Sequence, residues 1–272
     1  MPIVDVAIVS WNTAEAALAA ARAYVASEGV EARVTIVDNN SLRDQRELLE
    51  RECPQGVELA LLDDNGGYGR AANRILAGGD GEFVCVSNAD VVPRPEALAA
   101  LSAVAAESQA GMVGPAFGVD PDPYHSALPT GRQMLGRIVA GSFDRPGIPE
   151  PKPGEVVAVG QPSGACFLLR RTLWEQVGGF DEDFFLWYED VDLAKRLHDG
   201  GHRNLVVGAA RVEHAGAGSF AQVDGRRQQA IRLDSMSRYL DKHHPGVTAT
   251  VARPLVALAR RLRAGGMRGR GP

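Results

Sequence analysis

The sequence predicts an α/β protein with an open, mostly parallel sheet and helices on both faces. Three observations lead there. Apolar, β-branched runs alternate with helical stretches through the first third of the 272 residues. Such alternation implies crossover connections and hence parallel strands. Each of the first four strands runs into polar or glycine-rich residues, and in such sheets ligands bind at the carboxyl ends of strands. The apolar and charged fractions, 45% and 23%, are those of an ordinary globular chain.

Residues 4–9 form a buried strand. Thr13 stands where it can cap an alanine-rich helix running to residue 27. A second strand covers 34–37, a helix 42–52, a third strand 57–62 and a short helix 69–77. The fourth strand covers 83–86, and a helix follows over 95–107. Periodicity then weakens. Nine of the sixteen prolines lie between Pro115 and Pro162, which suits irregular recognition loops. Strand character returns at 156–159 and 165–169. From Glu189 the pattern is helical: Val191, Ala194 and Leu197 share a face, Asp192 and Arg196 pair at i,i+4, and Gly200-Gly201 stops the helix. A strand at 204–207 and further helical segments complete the chain.

Composition excludes several classes. No run of 18 apolar residues offers a membrane span. The chain opens on a strand, not on a basic leader with a cleavable apolar segment. Cys53, Cys85 and Cys166 are scattered, suit a reducing cytoplasm and form no metal-ligand cluster. The net charge is −5, yet Asp241 is the last acid and seven basic residues follow it. The acidic body argues against nucleic acid as a partner.

The segment 177–201 is the most informative. Asp181, Glu182, Asp183, Glu189, Asp190 and Asp192 are interleaved with Phe180, Phe184, Phe185, Leu186, Trp187 and Tyr188. Carboxylates against aromatic walls lose water and crowd one another. Both effects raise their proton affinity toward that of a general base. The plainer alternative is that Glu189 and Asp190 only cap the helix and complement its dipole.

The strand ends carry the remaining signals. Ser10-Trp11-Asn12 follows the first strand, without the G-x-G-x-x-G of a dinucleotide site. Asp38-Asn39-Asn40-Ser41 follows the second. It reads as a turn and cap, or as a carboxylate facing a pyrimidine imide or ribose hydroxyl. Asn65-Gly66-Gly67-Tyr68-Gly69, running on to Asn73, permits close backbone approach to a ligand, or forms a plain Asn-Gly turn. Ser87-Asn88-Ala89-Asp90 follows the fourth strand, and Asp90 suits a hard divalent cation shared with phosphate oxygens.

Together these motifs, with Gly179-Phe180-Asp181-Glu182 and Glu189-Asp190-Val191-Asp192-Leu193, resemble the family 2 glycosyltransferases of the GT-A fold, over roughly residues 3–220. Within that family the chain looks most like the rhamnosyltransferase-like branch. The resemblance implies inverting transfer from a nucleotide-sugar donor to a hydroxyl-bearing acceptor, with Mg or Mn. It implies a catalytic domain over 1–220, with a nucleotide-binding half (1–110) and an acceptor half (111–220). Residues 221–272 then form a C-terminal helical extension.

Carried onto this chain, the resemblance assigns Ser10, Trp11, Asn12, Asp38, Asn40, Asn65, Gly66, Gly67, Tyr68, Asn73, Asn88 and Ala89 to the nucleotide. Asp90 and His214 go to the metal, His214 being equally a core histidine. Asp190, with Glu189 beside it, stands where the base belongs, and Trp187, Tyr188 and Gly164 face the acceptor. Asn88 replaces the first acid of the family's D-x-D, and the Q-x-x-R-W of processive synthases is absent, so single-sugar transfer is expected. Asp38 favours a pyrimidine donor, dTDP-rhamnose ahead of a UDP-sugar. The acceptor is a glycan, a polyprenyl-linked sugar or a small molecule. Two rivals are a sugar-1-phosphate nucleotidyltransferase, which lacks its Arg/Lys-containing loop here, and a non-catalytic sugar-nucleotide binder, which would not need the acidic cluster. Finally, Leu255, Leu258, Ala259 and Leu262 form an apolar stripe beside Arg260, Arg261 and Arg263. Such a helix either docks a cytoplasmic enzyme on the inner face of a membrane or packs on the domain.

Overall fold

A computed structural model describes residues 1–118, 124–140, 146–214 and 224–246. The basic tail and its apolar stripe lie outside the described residues. The first half runs β1 (Ile3–Ser10), α1 (Ala14–Val25), β2 (Glu31–Asp38), α2 (Arg43–Glu52), β3 (Val57–Leu61), α3 (Tyr68–Leu76), β4 (Phe83–Asn88), β5 (Val91–Pro93) and α4 (Ala97–Ala105). The second runs β6 (Ala110–Phe117), β7 (His125–Ser126), α5 (Gly131–Ala140), β8 (Gly147–Ile148), β9 (Val156–Ala158) and β10 (Cys166–Arg170). It continues through α6 (Arg171–Val177), α7 (Glu189–Asp199), β11 (Arg203–His214) and α8 (Gly225–His243).

The main sheet has the order β3-β2-β1-β4-β10-β6-β11-β5, with β9 also on β11. Its first half is parallel, as the alternation predicts. The second half is mixed: β10 runs antiparallel to β4 and β6, while β6 and β11 are parallel. Side chains alternate across β1. Val4, Val6 and Ile8 enter one core, Ala7 and Val9 the other. On the first face, α1 lays Ala14, Ala17, Leu18 and Ala21 on the sheet, small residues that bring it close. On the second, α3, α6 and α7 bury Leu76, Trp174, Leu193 and Leu197. A third cluster joins α5, α7 and α8 through Met134, Ile138, Tyr188, Val191, Met236 and Tyr239.

Three expectations need correction. Thr13 occupies the N-cap position of α1 but makes no capping bond; its hydroxyl lies 3.2 Å from Ser10 Oγ. The Ala14 N–H is met instead by Gln45 Oε1 at 3.1 Å. The proline-rich stretch is not all irregular. It holds the end of β6, β7, α5, β8 and β9. The helix α5 escapes a local reading because only Met134 and Ile138 of its apolar residues are fully buried, and their partners lie about a hundred residues on, in α8. Lastly, Asp192 does not gain proton affinity. Burial pushes its carboxyl up, but hydrogen bonds and charge from His243, Arg196 and Lys242 outweigh burial and hold it down at about 2.

Candidate active site

After β1 the chain builds β2 and β3 to one side, then returns to place β4 on the other. The carboxyl ends of β1 and β4 therefore splay apart and leave a crevice. A cavity of about 360 Å³ opens there. Trp11 comes from the end of β1, Asn39 from β2, Asn65, Gly67 and Tyr68 from the loop after β3, and Asn88, Ala89 and Asp90 from the end of β4. Phe185, Leu186 and Trp187 close one side. The α8 residues Arg227, Gln228 and Ile231 close another.

Asp90 and His214 meet in this cavity because β5 pairs antiparallel with β11, which sets Val91 opposite His214. His214 Nε2 stands 3.2 Å from Asp90 Oδ1 and has no hydrogen-bond partner among the described residues. His214 Nδ1 is 3.4 Å from the Tyr124 hydroxyl. Two donors in adjacent positions of an octahedral Mg site, with bonds of about 2.1 Å, stand about 3 Å apart. The pair fits such an ion. Among the described residues no third His, Cys, Asp or Glu joins them, so further ligands would come from phosphate oxygens and water.

A second cavity, of about 270 Å³, adjoins the first and shares Tyr68, Asn88, Leu186 and Trp187 with it. Ser163, Gly164, Ala165, Tyr188, Glu189, Asp190 and Arg232 complete it. The acidic pair sits at the start of α7, entered through Trp187 (φ 60°) and Tyr188 (φ 70°). Two bulky residues in the left-handed region are strained by about 1–3 kcal/mol each. The segment is pinned by Tyr68 N–H donating to Phe185 O at 3.0 Å and by Ser235 Oγ donating to Leu186 O at 2.7 Å. Glu189 and Asp190 are not N-caps, since Tyr188 holds that position. Asp190 Oδ1 accepts from Val191 N–H at 2.8 Å, and Oδ2 accepts from Gln161 Nε2. Gly164 lies against this carboxylate: a Cβ there would meet Asp190 Oδ2 at 2.5 Å. The Tyr68 hydroxyl donates to Gly164 O at 3.3 Å. Burial, then the nearby Glu189 carboxylate, pushes this phenol well above its ordinary range, so it remains a neutral donor.

The structure thus gathers Trp11, Asn65, Gly67, Tyr68, Asn88, Ala89, Asp90 and His214 in one cavity, and Gly164, Trp187, Tyr188, Glu189 and Asp190 around the other. Six sequence-picked residues do not line the walls. Ser10 is fully buried. Asn12 ties two loops, its N–H on Ser41 Oγ at 2.7 Å and its Oδ1 accepting from Leu42 N–H at 2.8 Å. Asn40 is exposed in a left-handed turn. The Arg70 side chain covers Gly66. Asn73 clips α3 to the Phe180 backbone, donating to its O and accepting from its N–H, both at 2.9 Å. Asp38 is fully buried; Oδ2 accepts from Ser41 N–H at 3.1 Å, and Oδ1 has no hydrogen-bond partner among the described residues. Its neighbour Asn39 lines the cavity instead. Sequence reasoning missed Asn39, Gln161, Arg227, Gln228, Ile231 and Arg232. Only Asn39, inside a quoted motif, carried a local signal.

Comparison with known proteins identifies the family and the fold. A glycosyltransferase-like family 2 model matches residues 2–232. The chain is 33% identical over 237 residues to an N-acetylglucosaminyl-diphospho-decaprenol L-rhamnosyltransferase of Mycobacterium tuberculosis, covering 78% of this chain and 76% of that one. Among solved structures it is similar to the mannosyltransferase PcManGT of Pyrobaculum calidifontis in complex with GDP-Man and Mn2+, with a TM-score of 0.61 at 17% identity, over 100% of this chain and 77% of that one. It is also similar to S. aureus TarS in complex with UDP-GlcNAc, with a TM-score of 0.56 at 13% identity, over 99% and 76%. These structures share the GT-A fold with this α/β chain. The chain belongs to the family 2 glycosyltransferases and is a nucleotide-sugar-dependent glycosyltransferase of rhamnosyltransferase-like type.

Proposed function

We propose that the protein transfers one sugar, with inversion, from a pyrimidine nucleotide-diphospho-sugar to a hydroxyl of a lipid-linked sugar. dTDP-rhamnose stands ahead of a UDP-sugar as donor. One observation carries the reading. The two cavities share a wall, with Asp90 and His214 in one and Asp190 in the other. A donor diphosphate in the first and an acceptor in the second would approach the anomeric carbon from opposite sides. The relative of M. tuberculosis, named for L-rhamnosyl transfer to a decaprenyl-diphosphate-linked sugar, supports the choice of sugar and acceptor. Such an acceptor would place the enzyme at the inner face of a membrane. No helix among the described residues is long and apolar enough to cross one.

Asp90 and His214 would hold Mg or Mn. When bound, that ion supplies Lewis-acid stabilisation of the departing diphosphate. Asp190 takes the proton of the acceptor hydroxyl as its oxygen bonds to the anomeric carbon. The bond from that carbon to the phosphate oxygen breaks, and the nucleoside diphosphate leaves with the electron pair. Glu189, 6% exposed, adds negative charge beside the base. Trp187 and Tyr188 limit water at the reacting centre. Asp38 Oδ1 is the acceptor that an imide N–H of uracil or thymine would need, reached only if the wall at Asn39 shifts. That unmet oxygen supports the pyrimidine preference.

The test is nucleoside diphosphate release over dTDP-, UDP- and GDP-sugars with a polyprenyl-diphosphate-linked sugar acceptor. Asp190→Asn should lower kcat by about 10²–10⁴ with donor binding intact, and Glu189→Gln should cost less. Tighter GDP than dTDP or UDP binding refutes the donor; an active Asp190→Asn beside a dead Glu189→Gln reverses the pair.

A further inference from the structure

The carboxylate of Asp190 is held from outside its own helix. Gln161 is 1% exposed and donates from Nε2 to Asp190 Oδ2. The backbone of Gln161 is fixed in both directions. Ser126 N–H donates to Gln161 O at 3.0 Å, and Gln161 N–H donates to Ser126 O at 2.8 Å. Its side-chain Oε1 accepts from the Ser126 hydroxyl at 3.2 Å. With that oxygen committed to the hydroxyl, the amide turns its N–H donors toward the carboxylate. Gly164, three residues on, packs against the same carboxylate, where even a methyl group would collide with Asp190. The carboxylate therefore has little room to turn.

Among the described residues, the other ionisable groups lining the Asp190 cavity are Glu189 on the same helix, Tyr68 from α3 and Arg232 from α8. Gln161 differs from them in having no ionisable group and in being anchored to the separate strand β7 through Ser126. An apolar side chain would fill its space equally well. What the amide adds is a hydrogen bond to the ionised carboxylate at Oδ2, which together with Val191 N–H on Oδ1 fixes its orientation.

We propose that Gln161 is a positioning residue for proton abstraction, with Ser126 and Gly164 completing a cradle that holds Asp190 ionised and aimed at the acceptor hydroxyl. The inference rests on Asp190 being the base.

The test compares pH profiles of kcat for wild type, Gln161→Leu and Gln161→Glu. Gln161→Leu should lower kcat about 10- to 100-fold. The donor KM should hardly move, and the acidic limb should shift to higher pH because a donor to the ionised form is gone. Gln161→Glu should behave differently. While protonated, the introduced carboxyl donates an O–H in place of the amide. Once ionised, it repels Asp190, so this variant alone should gain an alkaline fall that wild type lacks. If both variants keep the wild-type profile, or if Gln161→Glu follows Gln161→Leu at every pH, the inference is overturned. Should Gln161→Leu fail to fold, the profile of Gln161→Glu decides. Asp190→Asn separates the two readings: full activity there removes the base itself, whereas an inactive Asp190→Asn beside Gln161 variants of wild-type profile removes only the cradle.

Discussion

Replacing Asp192 by asparagine should loosen the whole wall that α8 supplies. The Asp192 side chain is fully buried, with Arg196 Nε at 2.8 Å, Lys242 Nζ at 2.8 Å and His243 Nε2 at 2.7 Å. Arg196 belongs to α7, and the other two to the last turn of α8. Asparagine keeps the shape and removes the charge, leaving Arg196 and Lys242 without their anion and His243 Nε2 without a charged partner. Holding the carboxyl near 2 instead of 3.8 corresponds to about 2–3 kcal/mol of folding free energy. Breaking a buried pair by removing one partner costs about 3–5 kcal/mol in comparable cases. A loss of about 3 kcal/mol is therefore expected, or about 6–12 °C in Tm for a chain of this size. The outer pairs, Lys242 with Asp181 at 2.5 Å and Arg238 with Asp183 at 2.7 Å, are more exposed and compensate little. The assay is urea and thermal unfolding of both proteins at pH 7, 4 and 2.5. Because the folded-state value lies below the unfolded one, the contribution of Asp192 is complete above about pH 4 and disappears as pH falls toward 2. The gap between wild type and variant should thus narrow at pH 2.5. A gap under 1 kcal/mol at pH 7, or one that does not change with pH, would refute the reasoning. Since α8 also brings Arg227 and Ile231 to the donor cavity, the donor KM should rise with the loss of stability.

Two further outcomes follow from the site. Asp90→Ala should abolish turnover, as should a chelator added to wild type; full activity in chelator would exclude the Asp90–His214 pair as a metal site. Gly164→Ala should lower kcat by about 10- to 100-fold and also lower Tm, since the added methyl would meet the Cβ, Cγ and Oδ2 of Asp190 and overpacking of this kind costs about 1–3 kcal/mol; a folded variant with wild-type kcat would show that the carboxylate turns freely.

What the sequence determined by itself was local and periodic. The parallel half of the sheet follows from runs such as 4–9 and 34–37, whose alternating side chains serve two cores. The start of α7 was legible because Val191, Ala194 and Leu197 recur at helical spacing and Gly200-Gly201 ends the pattern. Glu189, Asp190 and Asp90 stood out in the sequence because they lie among aromatic residues or at a strand end beside other polar strand ends, and the structure brings them to two adjoining cavities. Tertiary structure alone decided their surroundings. The acids of 181–192 looked like a cluster that would raise one another's proton affinity, but Lys242 and His243 arrive from α8, some fifty residues on, and with Arg196 of α7 reverse the effect at Asp192. Asn73, Asn12 and Asn40 matched a binding motif, yet their side chains or turns hold loops together. Gln161 carried no signal, because its chemistry exists only where Ser126 of β7 and Asp190 of α7 converge on it. Electrostatic and hydrogen-bond partners act over a few ångströms in space, and the chain gives no measure of that distance until it has folded.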